Sequence, residues 1–230
     1  MLSLNDVVID LGDFRLSANF NVPNGQRVAI IGPSGAGKSS LVNAICGFVD
    51  VSSGAIMLGA RDITAASVAA RKMAILFQDN NLFAHLTIAQ NVGLGIRPAL
   101  RLTLAENEIV KQALLRVGLA GFGHRKPSEL SGGQQSRAAL ARALVQAKPW
   151  MILDEPFAAL GPALRAEMLQ LVAEVATETG AGVLMVTHAP EDARRIAQSV
   201  IFVAEGVAHA PVPTAELLDN PPPALKAYLG

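Results

Sequence analysis

Residues 32 to 40 combine glycines, a lysine and serines at a spacing that can bind phosphate groups. The run from Gly32 to Ser39 fits the pattern G-x-x-x-x-G-K-[ST], between an apolar run and a predicted helix. Glycines let backbone N–H groups surround phosphate oxygens, and a helix N-terminus adds partial positive charge. The pattern predicts that Lys38 reaches the outer phosphates of a nucleotide and that Ser39 binds Mg²⁺. The residues assigned to nucleotide binding here are Gly32, Pro33, Ser34, Gly35, Ala36, Gly37, Lys38, Ser39 and Ser40.

Two adjacent carboxylates follow a second apolar run, at 150–153. We predict a buried strand that ends at Asp154, where the carboxylate could hold Mg²⁺ directly or through water. Glu155 comes next and could orient and deprotonate an attacking water molecule. Both side chains could instead only cap the following segment. Their presence in one chain with the phosphate-binding loop favours the catalytic interpretation.

A third cluster has the sequence Leu-Ser-Gly-Gly-Gln at 130–134. It stands directly before a predicted helix from Gln134 to about Ala147. Ser131, Gly132 and Gly133 therefore place a hydroxyl group and glycine amides at another helix N-terminus, which is a second site suited to an anion. The alternative is an ordinary flexible turn.

The elements around these motifs predict an α/β fold. Alternation of apolar and polar residues at 14–22 predicts a half-buried strand, which forms an antiparallel hairpin with 7–9. Continuous apolar runs at 28–31, 73–77, 151–153 and 183–186 predict a parallel sheet covered on both faces. We predict a helix from about Lys38 to Cys46 and another from Pro162.

The chain is predicted to be a single domain with an insertion. Between about 79 and 148 the strand pattern stops and helical periodicity replaces it, beginning with a capping box at Thr103 and Glu106. We assign 1–78 and 149–206 to an ATP-binding core, 79–148 to a helical subdomain and 207–230 to a short C-terminal tail.

Composition narrows the class of protein. Lys and Arg together number 19, as do Asp and Glu, so no basic excess supports nucleic-acid binding. The single cysteine, Cys46, cannot form an internal disulfide. The N-terminal residues lack the pattern of a signal peptide, and no run is apolar enough for a transmembrane helix. Any role at a membrane is therefore expected to require a partner.

Together these motifs resemble those of ABC transporter ATP-binding subunits, and the resemblance covers nearly the whole chain. The phosphate-binding loop, the segment 130–134 and the segment 150–155 correspond to the family's Walker A, signature and Walker B motifs, in the family's order. The resemblance implies that Gln78, at the end of a strand, senses the metal and the attacking water and contacts the permease. It also implies that His188 touches the γ-phosphate.

The resemblance implies a fold, ligands and partners. The fold is a P-loop NTPase (RecA-like) α/β core with an N-terminal antiparallel β subdomain and an inserted α-helical subdomain. The ligands are ATP and Mg²⁺, with Ser39, Gln78 and Asp154 as metal-binding residues. ATP bound at Lys38 would be clamped by the signature of a second copy, through the residues Ser131, Gly132, Gly133 and Gln134. Such a homodimer would energise an integral membrane permease, and indirectly a periplasmic solute-binding protein, from the cytoplasmic face of the inner membrane.

The cargo is suggested by a closer similarity. The segment 77–95, the compact N-terminal hairpin and the lack of a C-terminal regulatory domain resemble ATPases of thiamine importers. This implies uptake of thiamine and its phosphate esters. Import of another small solute or anion, such as iron, molybdate, sulfate or a polyamine, is the alternative.

Two positions depart from the family's pattern. Gly161 stands where an Asp usually follows Ala-Ala-Leu in the D-loop, so a carboxylate at the expected subunit interface is lost. The position of the family's adenine-stacking aromatic residue falls on Leu11, and Phe14 is the nearest aromatic. Two alternatives therefore stay open for Phe14: it contacts adenine, or it packs in the core.

Two other functional classes fit the sequence less well. ABC ATPases that act on DNA or ribosomes usually contain coiled coils or two cassettes, and neither pattern occurs in this sequence. A P-loop kinase or GTPase does not account for the signature sequence or for His188.

Overall fold

A computed structural model describes residues 1–77, 79 and 81–229. The strands are β1 (Leu2–Leu11), β2 (Phe14–Val22), β3 (Arg27–Ile31), β4 (Ser53–Leu58), β5 (Arg61–Asp62), β6 (Met73–Leu76), β7 (Trp150–Asp154), β8 (Gly182–Val186), β9 (Ser199–Ala204), β10 (Val207–Ala208) and β11 (Val212–Pro213). The helices are α1 (Lys38–Cys46), α2 (Ile88–Gly93), α3 (Leu104–Arg116), α4 (Gly132–Leu144), α5 (Pro162–Thr179), α6 (Pro190–Ile196), α7 (Thr214–Asp219) and α8 (Pro223–Leu229). Short 3₁₀ turns occupy Val68–Arg71 and Pro127–Glu129.

The strands form one mixed sheet in the order β5-β4-β1-β2-β10-β9-β3-β8-β7-β6, with β11 beside β9. Strands β9, β3, β8, β7 and β6 are mutually parallel, which confirms the predicted parallel core. Strands β1, β2, β4 and β5 pair antiparallel and form the predicted N-terminal subdomain. The two-residue strand β10 joins these halves, because it pairs with β2 on one side and β9 on the other.

Successive residues of the parallel strands pack on opposite faces of the sheet. Because side chains alternate along a strand, each strand contributes to two apolar cores. One core includes Ala29, Met151, Val183 and Val200, and the other includes Val28, Ile152, Leu184 and Ile201. The first core extends into the helical subdomain and α5, and the second is covered by α1 and the antiparallel strands. This two-sided burial explains the continuous apolar runs in the sequence.

The segment between β6 and β7 is helical, as predicted. Helix α3 begins with the predicted capping box, in which the Thr103 hydroxyl accepts from the Glu106 N–H and the Glu106 carboxylate accepts from the Thr103 N–H. Helix α4 begins at Gly132 and ends at Leu144, so its predicted bounds were shifted toward the C-terminus by two to three residues. Within the described residues, no helix combines the length and apolar character needed to cross a bilayer.

Helix α1 has the predicted bounds and carries the single cysteine. Gly47 ends this helix with a left-handed φ of 86°. The Cys46 side chain is fully buried, and this burial raises the pKa of its thiol to about 12. Cys46 therefore packs as a small apolar residue in the core beneath the sheet.

A buried arginine fixes the C-terminal end of α1. The Arg71 guanidinium donates to the carbonyls of Ala44 and Ile45 in the last turn of α1, at 2.7 and 2.9 Å. It also donates to the carbonyls of Thr64 and Ala66, at 2.7 and 2.9 Å. Arg71 is only 3% exposed. A cation at a helix C-terminus satisfies carbonyls that have no partner within the helix and interacts favourably with the helix dipole.

We predict that Arg71→Met destabilises the protein by about 2–4 kcal/mol, because it leaves several buried carbonyls without a charged donor. Urea unfolding would measure the loss. Arg61→Met in the exposed strand β5 is the control and should change the free energy of unfolding by less than about 0.5 kcal/mol. Equal effects of the two substitutions would contradict the anchoring role of Arg71.

Candidate functional site

The phosphate-binding loop connects the end of β3 to the start of α1. Gly37 is the N-cap of α1, with a left-handed φ of 99° and no side-chain cap. A Cβ atom on Gly37 would lie 2.4 Å from the Phe14 ring, so a side chain is excluded by conformation and by contact. Gly32 is equally confined, because a Cβ there would lie 2.0 Å from the Val203 carbonyl oxygen. The glycines of the sequence pattern are therefore required by this loop itself.

Lys38 lies beneath this loop. Its Nζ donates to the carbonyl oxygens of Gly32 and Pro33, at 2.8 and 2.9 Å. Burial lowers the pKa of the Lys38 ammonium group, while the Glu155 and Asp154 carboxylates act in the opposite direction. The cation is thus held at the loop by backbone oxygens and two nearby anions.

Ser39 and Asp154 bring two side-chain oxygen atoms next to each other in the site. The Ser39 Oγ donates to Asp154 Oδ1 at 3.3 Å. Burial raises the pKa of the Asp154 carboxyl, the hydrogen bond from Ser39 opposes this, and the charge of Glu155 adds to it. A hydroxyl and a carboxylate suit Mg²⁺, which is usually held by one or two protein oxygens plus phosphates and water. Within the described residues, no group of three or more His, Cys, Asp and Glu side chains could hold a metal ion.

Glu155 and His188 meet at the same edge of the sheet. Glu155 Oε1 lies 2.5 Å from His188 Nε2, and the Glu155 N–H donates to the Val186 carbonyl at 3.2 Å. Glu155 has a φ of 47°, which is uncommon for a residue with a side chain. Such conformations cluster at functional sites because the surrounding structure must hold them.

The side chains of Lys38, Ser39, Glu155 and His188 share one cleft of about 440 Å³. Its lining comprises Leu11, Phe14, Ser34, Gly35, Gly37, Lys38, Ser39, Ser40, Glu155 and His188. Leu11 and Phe14 are the two large apolar side chains of this lining, and the Phe14 ring packs against Gly37. Both residues are therefore close enough to the phosphate-binding loop to contact a base, which places Phe14 at the cleft as well as against the core.

The signature residues lie outside this cleft. Ser131 caps α4, with its hydroxyl accepting from the Gln134 N–H and its own N–H donating to Gln134 Oε1. Ser131 and Gly132 are exposed, and Gly133 lies beside Leu160 and Leu164. Ser131, Gly132, Gly133 and Gln134 are all absent from the lining of the cleft. One chain therefore presents two separate features suited to phosphate binding.

Gln78 lies outside the described residues, and its assigned role stays a prediction. The neighbouring strand β6 ends at Leu76, paired in parallel with Leu153 of β7. Phe77 follows, with its ring centroid 5.5 Å from that of Phe48. After the position of Gln78, the Asn81 carbonyl accepts from Arg142 of α4 at 2.7 Å.

Gly161 begins α5 without a side-chain hydrogen bond. Its φ of −64° and ψ of 158° are accessible to any residue, and no atom lies within 4 Å of a Cβ built there. The structure therefore does not require glycine at this position. Nothing in the structure explains why the aspartate of the family's pattern is missing.

A polar network beside His188 was not found from the sequence. It consists of Arg165, Thr187 and Asp192, which are joined by hydrogen bonds behind the Glu155–His188 pair. Arg165 and Asp192 are distant in sequence and match no short motif, so only the packing of α5 against α6 reveals their contact.

Comparison with known proteins identifies relatives along the whole chain. A family model described as ABC transporter matches residues 16–158. A protein named thiamine import ATP-binding protein ThiQ, from Cereibacter sphaeroides, is 58% identical over 230 residues, which cover all of both chains. A protein of the same name from Ruegeria sp. is 56% identical over the full length of both chains.

Solved structures are also similar to this fold. A dimeric structure of the ATP-binding cassette MJ0796, in a post-hydrolysis state bound to ADP and Pi, matches with a TM-score of 0.82 at 28% identity. The match covers 93% of this chain and 99% of that one. A dimeric structure of MJ0796 described as a bacterial ABC transporter cassette matches equally well.

The raised pKa of Asp154 predicts that its ionised carboxylate lowers the stability of the folded protein. The folded protein binds a proton at Asp154 more tightly than the unfolded chain does, so stability falls as pH rises through the raised pKa. Asp154→Asn should therefore increase the melting temperature at pH 7, measured with EDTA and without nucleotide. The difference should shrink as the pH is lowered into the acid range.

Asp62→Asn is the control of opposite sign. Hydrogen bonds from the Thr64 side chain and from the Thr64 N–H, the latter at 2.8 Å, lower the pKa of the Asp62 carboxyl. Its substitution should leave the melting temperature at pH 7 unchanged or slightly lower. A melting temperature of Asp154→Asn at or below that of the unmodified protein would refute the predicted cost.

Proposed function

Because the chain belongs to the ABC transporter family, we propose that it is the ATP-hydrolysing subunit of an importer for thiamine. The observation that carries the ATPase assignment is that one cleft contains both Lys38 and the Glu155–His188 pair. Ser39 lines the same cleft and is hydrogen-bonded to Asp154. The cargo assignment is supported by relatives named for thiamine import that are 58% and 56% identical over their full lengths. Uptake of thiamine phosphate esters stays a prediction.

The chemistry follows from the positions of the side chains. The loop 32–37 presents its N–H groups, and Lys38 its ammonium group, to the β- and γ-phosphates of ATP. Mg²⁺ held by Ser39 and Asp154 would neutralise charge on these phosphates. Glu155 orients a water molecule and accepts its proton as the water oxygen bonds to the γ-phosphorus and the bond to ADP breaks. His188, within 2.5 Å of Glu155, contacts the same phosphoryl group and holds the carboxylate in place.

A dimer completes the site in this proposal. The signature residues 131–134 stand at an exposed helix N-terminus outside the cleft, where they can meet the γ-phosphate of ATP bound to a second copy. The similar solved structures of MJ0796 are dimeric. ATP between the two copies contributes binding energy that holds them together, and hydrolysis removes it.

The membrane partner and the location are part of the same proposal. An importer subunit needs a permease, which we expect to contact the segment 79–100 and Gln78. The subunit would lie at the cytoplasmic face of the inner membrane, and a periplasmic thiamine-binding protein would deliver cargo from the other side. We propose no nucleic-acid partner, since the formal net charge is zero.

Glu155→Gln should slow ATP hydrolysis by about 10²–10⁴-fold, because the amide cannot accept the proton of the attacking water. Binding of ATP should persist, so the variant should accumulate as a dimer with ATP and Mg²⁺. Light scattering coupled to size-exclusion chromatography would measure the mass, and phosphate release the rate.

Glu205→Gln is the matched control, since Glu205 is also a glutamate with a left-handed φ, of 50°, and is exposed. It should hydrolyse ATP normally and form no trapped dimer. Normal hydrolysis by Glu155→Gln would remove the catalytic role of Glu155, and a strictly monomeric ATP-bound form would remove the shared site.

The cargo is tested with the complete transporter. The chain, co-purified with its permease in lipid nanodiscs, should show ATPase activity that increases when thiamine-loaded solute-binding protein is added. The same receptor without thiamine is the control. Stimulation only by a receptor loaded with iron, molybdate, sulfate or a polyamine would contradict the thiamine assignment while leaving the ATPase assignment intact.

A further inference from the structure

Arg165 and Asp192 form a partly buried ion pair behind the catalytic residues. Arg165 Nε donates to Asp192 Oδ2 at 2.7 Å, and the Arg165 Nη2 group contacts the same oxygen. The side chains are 25% and 12% exposed, respectively. Arg165 lies in the first turn of α5, where its N–H donates to the Gly161 carbonyl at 2.9 Å. The pair therefore joins the start of α5 to α6.

Asp192 continues this link to the backbone around His188. The Thr187 Oγ1 hydroxyl, which is almost fully buried, donates to Asp192 Oδ2 at 3.0 Å. The same hydroxyl oxygen accepts from the Ala189 N–H at 3.1 Å. These bonds fix the residues on both sides of His188, so a displacement of Asp192 would be transmitted to the histidine.

A cavity of about 190 Å³ lies beside this network. Glu155, Arg165, Thr187, His188 and Asp192 are among the residues that line it. Side chains that border a cavity have fewer packed neighbours on that side. Their positions therefore depend more on hydrogen bonds. Glu155 already has an uncommon backbone conformation, which increases the need for support.

We propose that Arg165 and Asp192 are positioning residues that hold His188 in register with Glu155 and link both to the D-loop at Gly161. The proposal rests on the catalytic roles given above to Glu155 and His188. Outer hydrogen-bond partners commonly fix the orientation of active groups. The ion pair is linked through Thr187 to the backbone on both sides of His188. Arg165 and Asp192 therefore act on hydrolysis without lining the nucleotide cleft.

The alternative is an ion pair that only stabilises the fold. The chain offers a matched control in Arg194, which is on the same helix α6 and pairs with Asp219 at 2.7 Å. The side chains of that pair are 45% and 57% exposed, so it lies closer to solvent than the Arg165–Asp192 pair does. It tests whether loss of any ion pair on α6 affects hydrolysis.

The first experiment compares Arg165→Met with Arg194→Met in the steady-state ATPase assay. Misplacement of catalytic groups by about 1 Å can cost about 100-fold, so kcat of Arg165→Met should fall by about 10- to 100-fold. Its KM for ATP should stay within about twofold, since the phosphate-binding loop is untouched. Arg194→Met should retain kcat within about twofold. Equal kcat values for Arg165→Met and the unmodified protein, or equal losses in both variants, would overturn the proposal.

A second comparison distinguishes the positioning of His188 from a contribution of the ion pair to folding stability. Arg165→Met leaves the Asp192 carboxylate partly buried without its cation, so its unfolding midpoint should fall. The double variant Arg165→Met/Asp192→Asn removes both charges and should recover most of that midpoint. Under the proposal its kcat stays low, because the link to α5 is still missing. Recovery of kcat together with the midpoint would show that the pair only stabilises the fold.

The ring of His188 provides a direct readout. Its Cε1 proton resonance can be assigned by its loss in His188→Ala, and it should shift in Arg165→Met but not in Arg194→Met. His188→Ala also separates the two proposals. Normal hydrolysis by His188→Ala would refute the catalytic role of His188, whereas an inactive His188→Ala beside a fully active Arg165→Met would refute only the positioning role of Arg165.

Discussion

The structure depends on the parallel register of β3, β8 and β7. Ile30 is paired with Val186, and Val186 with Asp154, so three strands end at one edge in the same row. The phosphate-binding loop follows the end of β3 and Glu155 follows the end of β7 directly, and His188 comes two residues after the end of β8. Because ligands of open α/β sheets bind beyond the carboxyl ends of the strands, this register alone assembles groups that are far apart in sequence. The apolar layers on both faces maintain that register, since a slip would exchange the two cores.

Charged side chains are concentrated and partly buried at the same edge of the sheet. Lys38 loses hydration there, Asp154 ionises less readily and Glu155 adopts an uncommon backbone conformation. Each feature costs stability, and each brings a group to where phosphate and water would be. Attraction between the Lys38 ammonium group and the nearby Glu155 and Asp154 carboxylates limits this cost. The arrangement is that of a site preorganised for developing charge and supported by the rest of the fold.

The sequence predicted the parts of this site that are determined locally. Glycine spacing, the apolar run before Asp154 and the Thr103 capping box each depend on a few neighbouring residues, and the structure contains the expected strand, turn or helix. The bounds of α4 were shifted because the helix starts within the glycines that local propensity disfavours. The Arg71 anchor and the Arg165–Asp192 pair were missed, since their acceptors lie on other elements and only the tertiary fold brings them together.

The buried thiol of Cys46 has a practical consequence. A pKa of about 12 leaves almost no thiolate at neutral pH, and the fully buried sulfur is out of reach of reagents. Because this is the sole cysteine, the native chain already serves as an unreactive background for labelling. Fluorophores or spin labels could be attached at engineered surface cysteines, and distances between the two copies followed during turnover, without first altering the helix that carries the phosphate-binding loop.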